Sequence, residues 1–241
     1  MGRYLIVGGQ GGIGEAAARR LVSAGHEVII TGRDAEDVAA TAEGLPATGV
    51  VLDVLDDSAQ AVLAEAAGDR LDGLIYAAGT INLKPFERLT DQDFLNDFSV
   101  NALGAAKAIQ AVLPALRKSE AGAGIVLFSS VAVDQVFAAH ASIAMAKGAV
   151  AALVRSLAAE FAPQIRVNAI APSLVDTPLG RKVASSEKMA EAVAKMHPLP
   201  RLGDADEIAA MAVMLLSAEA GWITGQVIAI DGGRSTLRIR S

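Results

Sequence analysis

The chain has 241 residues, enough to bury one substantial core, and its 52% hydrophobic, 20% charged and 4% aromatic residues call for a core of Ala, Val, Ile and Leu, as helix-covered parallel sheets have. A net charge of −6 gives no basic footprint for nucleic acid or an anionic membrane surface, so neither is expected as a partner. The lack of cysteine excludes disulfides, thiolate catalysis and Cys-based metal sites, and His26, His140 and His197 are too scattered to suggest a metal cluster, so no metal is expected.

In chain order, strands are predicted at Tyr4 to Gly8, Glu27 to Thr31, Gly49 to Val54, Gly73 to Ala77, Gly124 to Ser129, Ile165 to Ala171 and Gln226 to Asp231. Helical patterns fill the gaps at about 13–24, 34–43, 57–67, 91–117, 140–161 and 204–218. This alternation implies a single-domain α/β Rossmann fold, a doubly wound seven-stranded parallel sheet with helices on both faces. No repeat, low-complexity tract or polar linker divides 1–241, so one domain is expected.

The run Tyr4 to Val7 leads straight into a glycine loop, which argues against a cleavable signal peptide and for a cytoplasmic protein. No apolar stretch of about 18 residues lacks a charge, and Lys147 interrupts the most apolar helix, so no membrane span is expected. Residues 178–202 carry Pro178, Gly180, Ser185, Ser186, Pro198 and Pro200 around a short helical pattern. They read either as a substrate lid beyond the strand ends or as an ordinary surface insertion.

The first strand enters Gly8-Gly9-Gln10-Gly11-Gly12-Ile13-Gly14 and then an alanine-rich helix. Strand, glycines and helix in that order let backbone amides and the helix N-terminus approach a pyrophosphate without Cβ clashes. The spacing of Gly8, Gly12 and Gly14 resembles the G-x-x-x-G-x-G loop of the short-chain dehydrogenase/reductase family. The resemblance continues through Asp53-Val54, Ala77-Ala78-Gly79, Asn101, Ser129-Ser130, Lys147, Arg166-Val167-Asn168, Pro172 to Thr177 and Asp231-Gly232-Gly233, and so covers essentially the whole chain.

By that resemblance, Asp53 should accept from the adenine amino group with the Val54 amide alongside. Ala77, Ala78 and Gly79 should pass under the adenosine ribose, and Pro172, Val175 and Thr177 should hold the nicotinamide carboxamide. For a lone Asp or Thr in a loop, turn capping is the competing role. At the end of the second strand, Thr31-Gly32-Arg33 offers no acid for the ribose hydroxyls, whereas the Arg33 guanidinium suits a 2'-phosphate. NADP(H) is therefore predicted over NAD(H). NAD(H) stays possible because Asp34 could neutralise Arg33 or contact the ribose itself.

The family's catalytic set is a serine, a tyrosine four residues before a lysine, and an asparagine that supports a proton-relay water. Ser130, Lys147 and Asn101 match, while Ser142-Ile143-Ala144-Met145-Ala146-Lys147 places an isoleucine at the tyrosine position. Neither tyrosine of the chain, Tyr4 nor Tyr76, can be slid into it; Tyr76 is expected beside the cofactor with its hydroxyl away from the substrate. His140 is the candidate replacement. It precedes Lys147 by seven residues, two helical turns, the spacing the tyrosine has in bacterial enoyl-ACP reductases, and imidazole is a competent acid near neutral pH. Helix capping or packing under the lid are its alternative roles.

Two functions follow. One is an NADP(H)-dependent oxidoreductase acting on a small or apolar carbonyl, alcohol or activated alkene; the other, favoured by Ile143, is a dinucleotide-binding protein or subunit without turnover. The resemblance also implies a homotetramer assembled through helix 204–218, Trp222 to Gly225 and the last strand, which could alternatively be a plain sheet edge.

Overall fold

A strand whose two faces are both covered by helices must be apolar at every position, and Gly73 to Tyr76 and Ala123 to Phe128 are buried throughout. They form the middle of one parallel sheet in a computed structural model that describes residues 1–135 and 137–238. The strands are β1 Arg3–Val7, β2 Glu27–Gly32, β3 Thr48–Val51, β4 Gly73–Tyr76, β5 Ala123–Phe128 and β6 Ile165–Pro172. Two short strands, β7 Val175–Asp176 and β8 Gly203–Asp204, pair with each other, and β9 Val227–Ile230 returns to the main sheet. The seven-stranded order is β3-β2-β1-β4-β5-β6-β9, every pairing parallel, with β9 at one edge.

Successive side chains of a strand point to opposite faces, so each strand feeds two cores. Leu5, Val7, Ile29, Leu74, Ile125 and Val167 lie on one face with Leu63, Ile109 and Val154. Those three come from helices α3 Ala59–Ala67, α5 Gly104–Leu116 and α6 Ala141–Phe161. Ile6, Ile30, Ile75, Val126 and Ile170 lie on the other, under Leu21 of α1 Gly12–Ser23 and Ile208 and Leu215 of α9 Ala205–Leu216. Helix α2 Ala35–Gly44 follows β2, and α4 Asp91–Phe98 precedes α5. Helices α7 Pro178–Val183 and α8 Glu187–Ala194 occupy the 178–202 excursion.

By length and composition α6 could cross a bilayer, but its buried residues pack on the sheet and on α4, as those of a core helix do. Arg166 of β6 donates to the carbonyls of Leu215, Leu216 and Ser217, satisfying the end of α9.

Three predicted elements differ. The third strand stops at Val51 because Gly32 ends its only partner strand; the Leu52 amide still reaches the Gly32 carbonyl, and the chain then turns, leaving Asp53 and Val54 in a loop. The predicted helix 91–117 is interrupted by a π-helical turn, Ser99–Leu103. Within it the Asn101 side-chain amide donates to the Asp97 carbonyl, the acceptor that an α-helix would reserve for the Asn101 backbone N–H. The last predicted helix, 204–218, ends at Leu216.

The strand order reverses between β1 and β4, and a crevice opens there outside the carboxyl ends of the strands, where doubly wound sheets take ligands.

Candidate active site

The crevice begins where β1 ends. Gly8 and Gly9 both donate to the Thr31 carbonyl, and Gly8 has a φ of +83°, a backbone state that disfavours any side chain. A Cβ on Gly8 would stand 2.6 Å from the Ala78 nitrogen, and one on Gly14 would stand 2.2 Å from the Gly8 carbonyl oxygen. These two glycines let β1, β4 and α1 converge. Gly11 meets nothing within 4 Å, so its missing side chain leaves room for something other than the protein.

Around this turn lies a cleft of about 310 Å³. Its walls include Gly8, Gln10, Gly11, Gly12, Ile13, Arg33, Asp53, Val54, Ala77, Ala78, Gly79 and Thr177, so the structure brings together the greater part of the predicted cofactor residues. Gly14 is not in the wall; its place is structural. Arg33 is exposed into the cleft and forms no ion pair among the described residues, while Asp34 is the N-cap of α2, accepting from the Glu36 and Asp37 amides. Asp34 therefore neither pairs with Arg33 nor lines the cleft. Asp53 accepts from the Leu55 amide and Thr177 from the Gly180 amide, so both carry the turn-capping roles while still facing the cleft. Lys182 of α7 adds a second cation, one that sequence reasoning missed.

A second cleft, of about 180 Å³, continues the first through shared walls at Ile13, Ala77 to Thr80, Thr177 and Leu179. Asn101, Ser130, Ile143, Lys147, Pro172 and Val175 line it. The Lys147 ammonium donates to the Phe128 carbonyl at 2.8 Å, and burial pushes its pKa down to about 8 against the opposing pull of Asp97. The Ser130 oxygen accepts from the Ala132 amide at 3.1 Å, leaving its O–H to donate into the cleft. Asn101 spends its amide on Thr80 and Asp97, while its Oδ1 is buried without a partner near Gly79.

Ile143 is 3% exposed, four residues before Lys147. The Tyr76 hydroxyl turns away, donating to the Val100 carbonyl in the π-helical turn, and burial raises its pKa. His140 is the N-cap of α6, two turns before Lys147, and its backbone carbonyl accepts from the Ala144 amide. Its Nδ1 lies 2.7 Å from the Ala138 carbonyl, and it lines a third cleft with Ser130 and Ile143 instead of the one holding Lys147. It makes no side-chain capping bond.

Asp97 was missed by sequence reasoning. It is fully buried and accepts from Thr80, Asn82 and Ser142, tying α4 to the start of α6.

Two buried polar atoms without partners, Thr31 Oγ1 and Asn101 Oδ1, belong to residues lining these joined clefts, and with the open space at Gly11 they fit a dinucleotide better than any packed interior. The class so defined is the nicotinamide-dependent oxidoreductase built on a Rossmann fold. A family model described as enoyl-(acyl carrier protein) reductase matches residues 7–235. The short-chain reductase protein NovJ of Streptomyces niveus is 36% identical over 95% of this chain and 92% of its own, and a tropinone reductase homolog of Arabidopsis thaliana is 33% identical over 96% and 89%. Among solved structures, levodione reductase superposes with a TM-score of 0.90 at 30% identity over 98% of both chains. Aldohexose dehydrogenase of Thermoplasma acidophilum gives 0.91 at 27% over 100% and 96%. The chain belongs to the short-chain dehydrogenase/reductase family.

The contrast between two glycines tests the cleft. Gly14→Ala should lower stability by about 1–3 kcal/mol through overpacking. Gly11→Ala should melt within about 4 °C of wild type yet bind NADPH about tenfold more weakly. Thermal melts and fluorescence titration read both; unchanged NADPH affinity in Gly11→Ala would mean that the cleft does not hold the pyrophosphate.

Proposed function

We propose that the protein is an NADP(H)-dependent oxidoreductase for a small or apolar carbonyl, alcohol or activated alkene. The observation that carries this reading is the continuity of the two clefts, one walled by glycines and Arg33, the other ending on Ser130 and Lys147. A bound nicotinamide dinucleotide would supply or accept the hydride.

The residues of the chain then divide the work. Arg33, aided by Lys182, faces the end of the cleft where a 2'-phosphate would lie, and a guanidinium fork suits that group. Asp53, Val54 and Ala77 to Gly79 flank the adenosine, while Pro172, Val175 and Thr177 flank the nicotinamide. Ser130 donates to the substrate oxygen. Lys147, with its pKa brought to about 8, still holds a proton at neutral pH and can release it to a water at that oxygen, beside Asn101.

His140 is the other candidate for the acid role: the Ala138 carbonyl can only accept, so Nδ1 carries a proton toward it and Nε2 is the atom left for proton exchange. Helices α7 and α8 act as the lid, since Val183 and Val193 wall the third cleft.

Ile143 favours a second reading, a dinucleotide-binding protein or subunit with little turnover, because isoleucine cannot exchange a proton. The oxidoreductase reading comes with a cytoplasmic homotetramer, whereas the second reading also fits a subunit of a mixed oligomer. The edge position of β9 and the fully exposed Trp222 support assembly there. Light scattering should give four chain masses, and cell fractionation a cytosolic protein; a monomer would remove the assembly.

NADPH should bind more tightly than NADH, and Arg33→Ala should weaken NADPH about 10–100-fold, the range for losing charge-assisted bonds, while leaving NADH nearly unchanged. Equal affinities in the wild type would refute the preference.

Wild type should turn over simple ketones slowly, and Ile143→Tyr should raise that rate by about 10² or more, the span of general acid catalysis. Rapid wild-type turnover abolished by His140→Ala, with cofactor binding intact, would assign the proton to the histidine. Silence of both proteins on a carbonyl and enoyl panel, with NADPH bound, would favour the non-catalytic reading.

A further inference from the structure

Beyond Ser130 and Ile143 the inner cleft opens into the third, of about 210 Å³, and this one holds Arg234 and, among the described residues, no carboxylate. Gly232 and Gly233, with φ of +62° and +84°, turn the chain after β9 back across the cleft, so that the next side chain enters it. The Arg234 guanidinium carbon lies 4.6 Å from the centre of the Phe137 ring, and that ring packs against His140 at 5.3 Å between centroids.

The polar partners of the guanidinium are weak for a charged group. One is the Ser173 hydroxyl at 3.3 Å, which already faces His197 Nε2 at 2.8 Å; the other is the Met196 sulfur at 3.4 Å. Asp231 attracts it from a distance, but its oxygens accept from the Gly233 and Ser235 amides at 2.9 and 2.7 Å. Arg234 makes no ion pair among the described residues, and burial lowers its pKa. A half-buried guanidinium, fixed by an aromatic face and with no direct ion-pair partner among the described residues, suits an anionic ligand.

We propose that Arg234 binds a carboxylate of the substrate, so that the protein acts on an oxo acid or the corresponding hydroxy acid. The carbonyl or hydroxyl end reaches Ser130 and Lys147 in the inner cleft, and the acid end lies beside Phe137 in the outer one. The proposal rests on the oxidoreductase reading for its chemistry, whereas the anion site itself does not depend on turnover.

Calorimetric titration of hexanoate and of hexanamide into the NADPH-saturated protein tests the site. Hexanoate should bind at least about tenfold more tightly. Arg234→Met should erase that difference while binding hexanamide and NADPH as the wild type does, and Arg234→Lys, which keeps the charge but loses the fork, should retain part of it. Equal affinity for acid and amide in the wild type, or a preference that survives Arg234→Met, overturns the proposal. In turnover, 4-oxopentanoate should exceed 4-oxopentanamide at least about tenfold in kcat/KM, chiefly through KM. If neither is reduced while the Arg234-dependent preference for hexanoate persists, the oxidoreductase reading fails and the anion site stands.

Discussion

The approach of Gly8 to Ala78 is the contact on which the rest of the site depends. Strands β1 and β4 are neighbours whose following segments leave in different directions, and the space between them exists only because the backbones meet where a Cβ would stand 2.6 Å from an amide nitrogen. Gly14 repeats the device one turn into α1, against the Gly8 carbonyl, and Gly180 repeats it in α7, where a Cβ would lie 2.0 Å from the Val175 carbonyl oxygen. All three positions move backbone, not side chains, into place. The functional groups are then carried by segments whose positions these contacts fix: Ala77 to Thr80 after β4, and Thr177 to Lys182 after β7.

A second constraint lies under the floor of the inner cleft. Asp97 is a carboxylate shut away from water, a costly arrangement unless its oxygens are well supplied with donors. Thr80 and Asn82 come from the segment after β4, Ser142 from the first turn of α6, and the positive Lys147 lies near enough to be influenced. One buried charge therefore ties three elements together. The same helix turn supplies the carbonyl that receives the Asn101 amide and opens the π-helical turn, so the position of Asn101 and that of α6 are set by neighbouring atoms of one residue.

Strands, their parallel order and the glycine turn were legible because each leaves a local trace: β-branched runs, helix-period gaps, and glycines where no side chain fits. Asp34 was open in the sequence between neutralising Arg33 and contacting the ribose; the amides of Glu36 and Asp37 engage it as an N-cap instead. Asp53 and Thr177 proved to carry capping and cleft-facing roles together. His140 stands at the N-cap of α6, where the seven-residue spacing to Lys147 begins. Asp97, Lys182 and Arg234 were illegible in the sequence. Their significance lies in partners 17, 45 or 61 residues distant, or in a cleft wall, and no local pattern announces such meetings.

Ile143 joins the two constraints to the chemistry. A buried isoleucine contributes on the order of 1.5–3 kcal/mol to stability, which a tyrosine hydroxyl at the same place would trade for proton transfer. It lines the same cleft as Lys147, and burial is the largest influence on that ammonium, drawing its pKa down to about 8. The pocket beyond Ile143 is consistent with this arrangement. With Arg234 available to hold one end of a substrate, the other end can be fixed beside Ser130 by binding alone, and orientation then makes up part of what the missing hydroxyl would have supplied.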